Sequence, residues 1–176
     1  MKKILLILVL AVGLCFYFTW KPSTSAIVDK MKFGEVLSYD GIVFHTVWGN
    51  SETLEGFVRR IDRHYDSSVP VITYNLVLTT EEYNDPDIVT VRYDGGGNYH
   101  WSAPKQPKGS ILFYHTIPAS RRVQNKLDGI KEGQILRLEV KVSENSEIRS
   151  SSGAYVKLMH SNHKFILVED VFSSGH

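Results

Sequence analysis

The sequence predicts an α+β domain, a mostly antiparallel sheet curled toward a small barrel with two short helices, preceded by one N-terminal transmembrane or signal helix. Three observations carry this expectation. Apolar residues alternate with polar ones in several segments, most clearly Leu136, Leu138, Val140 and Val142 around Arg137, Glu139 and Lys141, the period of a strand with one buried and one wet face. Two other segments space apolar residues three and four apart, as on a helix stripe. Finally, the 17 residues from Ile4 to Trp20 carry no charge and follow the cationic head Met1-Lys2-Lys3, the layout of an export signal.

Taken in chain order, residues 1–20 read as a signal anchor or signal peptide. A helix over Ile4 to Trp20 rises about 26 Å, just short of the roughly 30 Å hydrocarbon core of a bilayer. Lys2 and Lys3 at one end, with Phe16, Tyr17, Phe18 and Trp20 at the other, suit a cytoplasmic N-terminus and an aromatic interfacial belt. The first expectation is therefore a single-pass membrane protein whose partner through residues 4–20 is the bilayer, with its domain periplasmic or extracellular. The alternative is a secreted or periplasmic product, because Thr24-Ser25-Ala26 places small residues at −3 and −1 of a signal-peptidase site. Lipidation of Cys15 is disfavoured by the bulky Leu14 before it. Residues 21–27, with Pro22 and small polar side chains, read as a tether, and residues 28–172 as a single β-rich domain.

Within that domain, Asp40-Gly41 separates Glu35–Tyr39 from Ile42–Trp48 as a tight hairpin turn, since Gly accepts positive φ. A first helix is expected from Ser51 to His64, with Leu54, Phe57, Val58 and Ile61 on one stripe and Asn50 or Ser51 as N-cap. Strands follow over Ile72–Leu78 and Val89–Tyr93, the latter joined by Asp94-Gly95-Gly96-Gly97-Asn98 to Tyr99–Ser102. A central strand over Ile111–His115 precedes a second helix from Ser120 to Leu127, stopped at Gly129. The alternating strand at Leu136–Val142 and an apolar run at Phe165–Val171 complete the set. A short helix between barrel strands resembles the arrangement of small, partly open barrels such as the OB-fold.

Composition narrows the function classes. Twenty cationic residues, two of them in the leader, face 19 acidic ones, so no basic excess points to nucleic acid. The single cysteine lies in the apolar segment, which excludes an internal disulfide scaffold.

Histidine offers the one suggestive spacing. His160-Ser161-Asn162-His163 sets two imidazoles three apart between strands, with His100 and His115 as candidate partners for a zinc ion. No Cys, Asp or Glu adjoins the pair, so neither a metal nor another cofactor is assigned, and solvent-exposed loop histidines are the plainer account. No Gly-x-Ser-x-Gly elbow or comparable nucleophile motif is present. The Gly-rich run at 94–97 lacks the Lys-Ser/Thr of a phosphate loop and reads as a turn. Arg59, Arg60, Arg63 and His64 read as cations at the C-terminus of the first helix. Trp48, Tyr99 and Trp101 are the candidate ligand-binding aromatics, a stacking platform if exposed together.

From Gly109 to Phe172 the chain resembles a group of uncharacterised membrane-anchored or exported bacterial proteins. The shared elements are His115-Thr116-Ile117-Pro118-Ala119 at a strand end, an amphipathic helix over Arg121 to Leu127, Ile130-Lys131-Glu132-Gly133-Gln134 opening a strand, and Val168-Glu169-Asp170-Val171. The chain departs from the group at Phe113-Tyr114, where polar, Asn-rich residues are expected. The resemblance implies export and a compact C-terminal β-unit, and it brings no activity with it. The leading expectation is a membrane-tethered, non-enzymatic binding or interaction module with a possible protein partner in the cell envelope. The alternative is a hydrolase or metal-dependent enzyme using His115, His160 or His163. A third reading, a component that acts in envelope assembly, would require an exposed apolar patch on the sheet.

Overall fold

The structure, a computed structural model, describes residues 31–32, 37–64, 68–93, 99–158 and 160–173. The expected membrane segment at 4–20, the tether and the Gly-rich turn at 94–98 lie outside the described residues. No helix among the described residues is long and apolar enough to cross a membrane.

The described chain is β-rich. Its elements are β1 (Met31–Lys32), β2 (Leu37–Tyr39), β3 (Ile42–His45), β4 (Trp48–Arg63), β5 (Tyr74–Thr79), a 3₁₀ turn at Glu81–Asn84, β6 (Thr90–Tyr93), β7 (Tyr99–Ser102), β8 (Ile111–Pro118), α1 (Arg121–Asp128), β9 (Ile135–Ser143), β10 (Glu147–Ser150), β11 (Tyr155–Lys157) and β12 (His163–Ser173). Five strands close a ring in the order β4-β5-β8-β12-β9 and back to β4. Every pairing in the ring is antiparallel except β8 with β12, which is parallel. A second sheet, β1-β2-β3-β10-β11, and the β6-β7 hairpin complete the architecture.

Side-chain alternation fills the ring. Leu136, Leu138 and Val140 on β9 are fully buried while Ile135, Arg137 and Glu139 are exposed, as their period requires. They meet Val58, Tyr74, Leu76, Leu78, Tyr114, Ile166 and Val168 in one interior core. Helix α1 adds Val123 and Leu127 to it. The Ser120 hydroxyl caps the helix by accepting from the Val123 N–H at 3.2 Å, and Gly129 ends it. A second core forms outside the ring, where Phe44, Ile72, Ile117, Ile148 and Phe165 pack between the second sheet and the barrel wall. At the β2-β3 hairpin, Asp40 and Gly41 both adopt positive φ, 50° and 81°, as a tight Asp-Gly turn demands.

One of the two expected helices is corrected. Residues 51–63 belong to the long strand β4, with His64 just past its end; β4 pairs with β9 through Ser51–Phe57 and with β5 through Phe57–Arg63. The misleading spacing has a geometric cause. A β-bulge between Val58 and Arg60 inserts one residue into the strand, so the side chains packed on the barrel core are Leu54, Val58 and Ile61. Period two with a one-residue slip thus yields intervals of four and three, the helical signature. Gly56 reinforces the strand, because a Cβ there would lie 3.1 Å from both the Leu78 Cβ and the Thr79 carbonyl oxygen of β5. Arg59, Arg60, Arg63 and His64 are therefore not cations at a helix end. Arg59 instead donates to the carbonyls of Val89 at 2.6 Å and Asn84 at 3.2 Å, tying the 3₁₀ segment to the barrel.

Candidate functional site: a histidine tract on the barrel wall

Alternation also decides what the wall displays. With Leu76, Tyr114 and Ile166 turned into the barrel, their strand neighbours Asn75, Phe113, His115 and Phe165 face outward. Register then sets them side by side: Asn75 lies opposite His115, Phe165 opposite His115, and His163 opposite Phe113. Cross-strand partners sit roughly 5 Å apart, so three residues far apart in sequence become one row.

That row is hydrogen-bonded. The Asn75 side-chain oxygen lies 2.8 Å from His115 Nδ1 and 3.3 Å from Nδ1 of His64, just past the end of β4. On its other side, His115 Nε2 lies 3.3 Å from His163 Nδ1. His163 stacks on Phe113 at 4.7 Å and 24°, Phe113 meets Tyr99 of β7 at 5.2 Å, and His160 packs 5.2 Å from His163. The turn holding the last pair is closed by the His163 N–H donating to the His160 carbonyl at 3.2 Å. The tract therefore runs His64, Asn75, His115, His163, His160, from the barrel wall to solvent.

Its electrostatics favour neutral rings. Burial, with the imidazoles of His163 and His64 nearby, pushes His115 down to about 3. Burial and the neighbouring His160 likewise hold His163 below its ordinary value.

The exposed end opens into a groove of about 290 Å³ between the β9-β10 turn, residues 143–146, and the loop leading into β12. Glu144, Ser146, His160, Ser161, His163 and Lys164 contribute to its lining. Its rim is fixed by Ser143, whose hydroxyl bonds Thr46 Oγ1 at 2.6 Å and accepts from the Asn145 N–H at 3.2 Å.

Of the residues singled out in the sequence, the structure brings His115, His160 and His163 together. His100 sits instead on the β6-β7 hairpin opposite Arg92. Among the described residues no three His, Cys, Asp or Glu side chains are arranged to share a metal ion; each imidazole faces the next. Tyr99 and Trp101 share one face of β7 without forming a platform with Trp48. Tyr99 packs on Phe113 and donates to Asp62 at 3.2 Å, Trp101 meets Tyr83 edge-on at 5.5 Å and stays 42% exposed, and Trp48 packs on the second core. His64 and Asn75 escaped the sequence reading. An amide inside the apolar run Ile72–Leu78 was the available signal, since a buried polar side chain needs a partner.

No protein-family model, curated protein or solved structure matches this chain.

Proposed function

We propose that this chain is a membrane-tethered, extracytoplasmic binding module built on an OB-like barrel, with the groove at His160 and His163 as its contact surface. The observation that carries the reading is the place of that groove. The described residues that line it all fall between 143 and 164, the connection between the fourth and fifth strands of the ring, β9 and β12. Barrels of the OB type recruit ligands with this connection. Strand order, the parallel β8-β12 pairing and α1 between β8 and β9 support the topology. Balanced charge favours a polar ligand or protein partner over nucleic acid. The apolar leader at 4–20 supports display across a membrane, as does the resemblance to exported proteins.

The test is photo-crosslinking of the full-length chain in its native membranes. A crosslinking side chain at Ser161, on the groove, is expected to capture a partner or ligand. The same group at Arg122 of α1, which pairs with Asp170 near the far end of β12, is expected to capture none. Equal adducts at both positions, or none at Ser161, would overturn the reading.

A histidine-dependent hydrolase is the second reading. It is favoured by His163, whose ring is held by His115 in a groove that also contains Ser146 and Ser161. Covalent labelling by a fluorophosphonate that Ser161→Ala or Ser146→Ala abolishes would establish it, and unlabelled protein would dismiss it.

A further inference from the structure

We infer that the tract is polarised: Asn75 fixes the proton of His115 on Nδ1, His115 in turn fixes the proton of His163 on Nδ1, and His163 presents a bare Nε2 to the groove as a hydrogen-bond acceptor. The chain of donors and acceptors dictates this. The Asn75 side-chain oxygen accepts, so the two imidazole nitrogens facing it, His64 Nδ1 and His115 Nδ1, must donate. A neutral imidazole carries one N–H, which leaves His115 Nε2 a lone pair that can only accept from His163 Nδ1. His163 then keeps its lone pair at Nε2. The same second-partner logic orients the histidines of metal sites and catalytic centres.

For its ligand the inference rests on the groove being the binding surface, and it names the class: a small molecule or side chain offering a hydroxyl or ammonium donor. Glu144 adds a second acceptor to the lining of the same groove. Acid reverses the preference without breaking the tract. A proton from solvent adds to His163 Nε2 while Nδ1 continues to donate to His115, so the same atom turns from acceptor into cationic donor. The titratable groups against His163 are His160 on its own loop and His115 on β8; Glu144 from the β9-β10 turn and Lys164 share the groove it lines, and Tyr99 and Asp62 lie one ring further, beyond Phe113.

Two measurements on the full-length chain separate the parts. Long-range proton–nitrogen correlation of the labelled imidazoles at about pH 8 is expected to show Nδ1–H on both His115 and His163. Asn75→Leu, or His115→Phe should the first variant fail to fold, is expected to return His163 toward the Nε2–H form that a free histidine side chain prefers in water. Nε2–H on His163 in the unaltered chain, or an unchanged His163 signal in a folded variant, overturns the polarised tract. Ethanolamine, which carries both donor groups, is expected to shift groove resonances at about pH 8 and to bind on the order of tenfold more weakly once acid has protonated His163, below the ordinary imidazole range, where inorganic phosphate replaces it. Correct tautomers with no shift from either probe overturn the groove as the ligand site and leave the tract standing.

Discussion

Acidification is expected to destabilise the protein through His115. In the unfolded chain this imidazole titrates at its ordinary value of 6.5, whereas burial and two neighbouring imidazoles hold it at about 3 in the folded state. As pH falls below 6.5 the unfolded chain takes up a proton that the native state refuses. The stabilisation is therefore complete above 6.5 and is lost progressively between 6.5 and about 3. At about pH 5 the deficit is roughly 1.5 pH units, or about 2 kcal/mol at ~1.4 kcal/mol per unit. Against a typical stability of about 5–15 kcal/mol this is a large fraction. The pKa of His163 is depressed too, and adds in the same direction. The carboxylate of Asp170, held low by its hydrogen bond from Lys126, acts in a separate window below the ordinary carboxylate range. Urea unfolding of the full chain in mild detergent at about pH 7.5 and about pH 5 measures the loss. The unaltered chain is expected to lose about 2 kcal/mol more than His115→Phe over that interval. Equal losses would refute the reasoning, because His115 would then be open to water or already charged in the native state.

Three further substitutions test the frame that holds the tract, each read by thermal unfolding. Gly109→Ala is expected to destabilise by at least about 1–3 kcal/mol, since φ is 98° there and a Cβ would stand 2.3 Å from the Thr80 carbonyl oxygen; a melting temperature equal to that of the unaltered chain would dismiss the close approach. Ser120→Ala removes the cap on α1 and is expected to cost about 1 kcal/mol, with Ser120→Asp restoring most of it. Leu138→Ala opens a cavity in the fully buried barrel interior and is expected to cost about 2–5 kcal/mol, whereas Arg137→Ala on the exposed face of the same strand is expected to change stability by less than about 0.5 kcal/mol.

What was legible in the sequence depended on whether one side of an element meets water. Strand β9 declared itself because Arg137 and Glu139 are wet while Leu136 and Leu138 are dry. Helix α1 could be read from a serine cap, two apolar residues four apart and a terminating glycine, all of them local. Strand β5 reads in the sequence as a half-buried strand, whereas it is covered on both faces. All six of its residues are buried, Asn75 and Thr79 included, because the barrel interior takes one face and the covered outer wall the other. Strand β4 carries a helix-like spacing because a bulge is a single-residue event that no periodicity encodes. The tract itself was half legible. His160 and His163 are near in sequence, but the bonds from His115 to Asn75 and to His163 span 40 and 48 residues, and only the register of β5, β8 and β12 makes them neighbours.

The covered wall also explains why the candidate site lies where it does. On the proposed OB-like reading, the outer face of the second and third strands, here β5 and β8, would be the ligand platform. In this chain that face is occupied: Phe113 lies beneath Tyr99 of the hairpin, and Ile117, with Phe165 on the neighbouring β12, packs into the second core. A ligand on that face would have to displace apolar side chains that are at most 5% exposed, at a cost of about 25 cal/mol for each Å² returned to water. The groove at His160 and His163 demands no such displacement. It also communicates with the covered wall, because His163, 8% exposed, is the last buried member of a chain whose other members are hydrogen-bonded back to Asn75 on β5 and to His64 just past β4. A proton taken up at His163 is therefore linked through these side-chain hydrogen bonds to Asn75 on β5. By reciprocal linkage, substitutions at Asn75 are expected to change affinity at a groove they do not line.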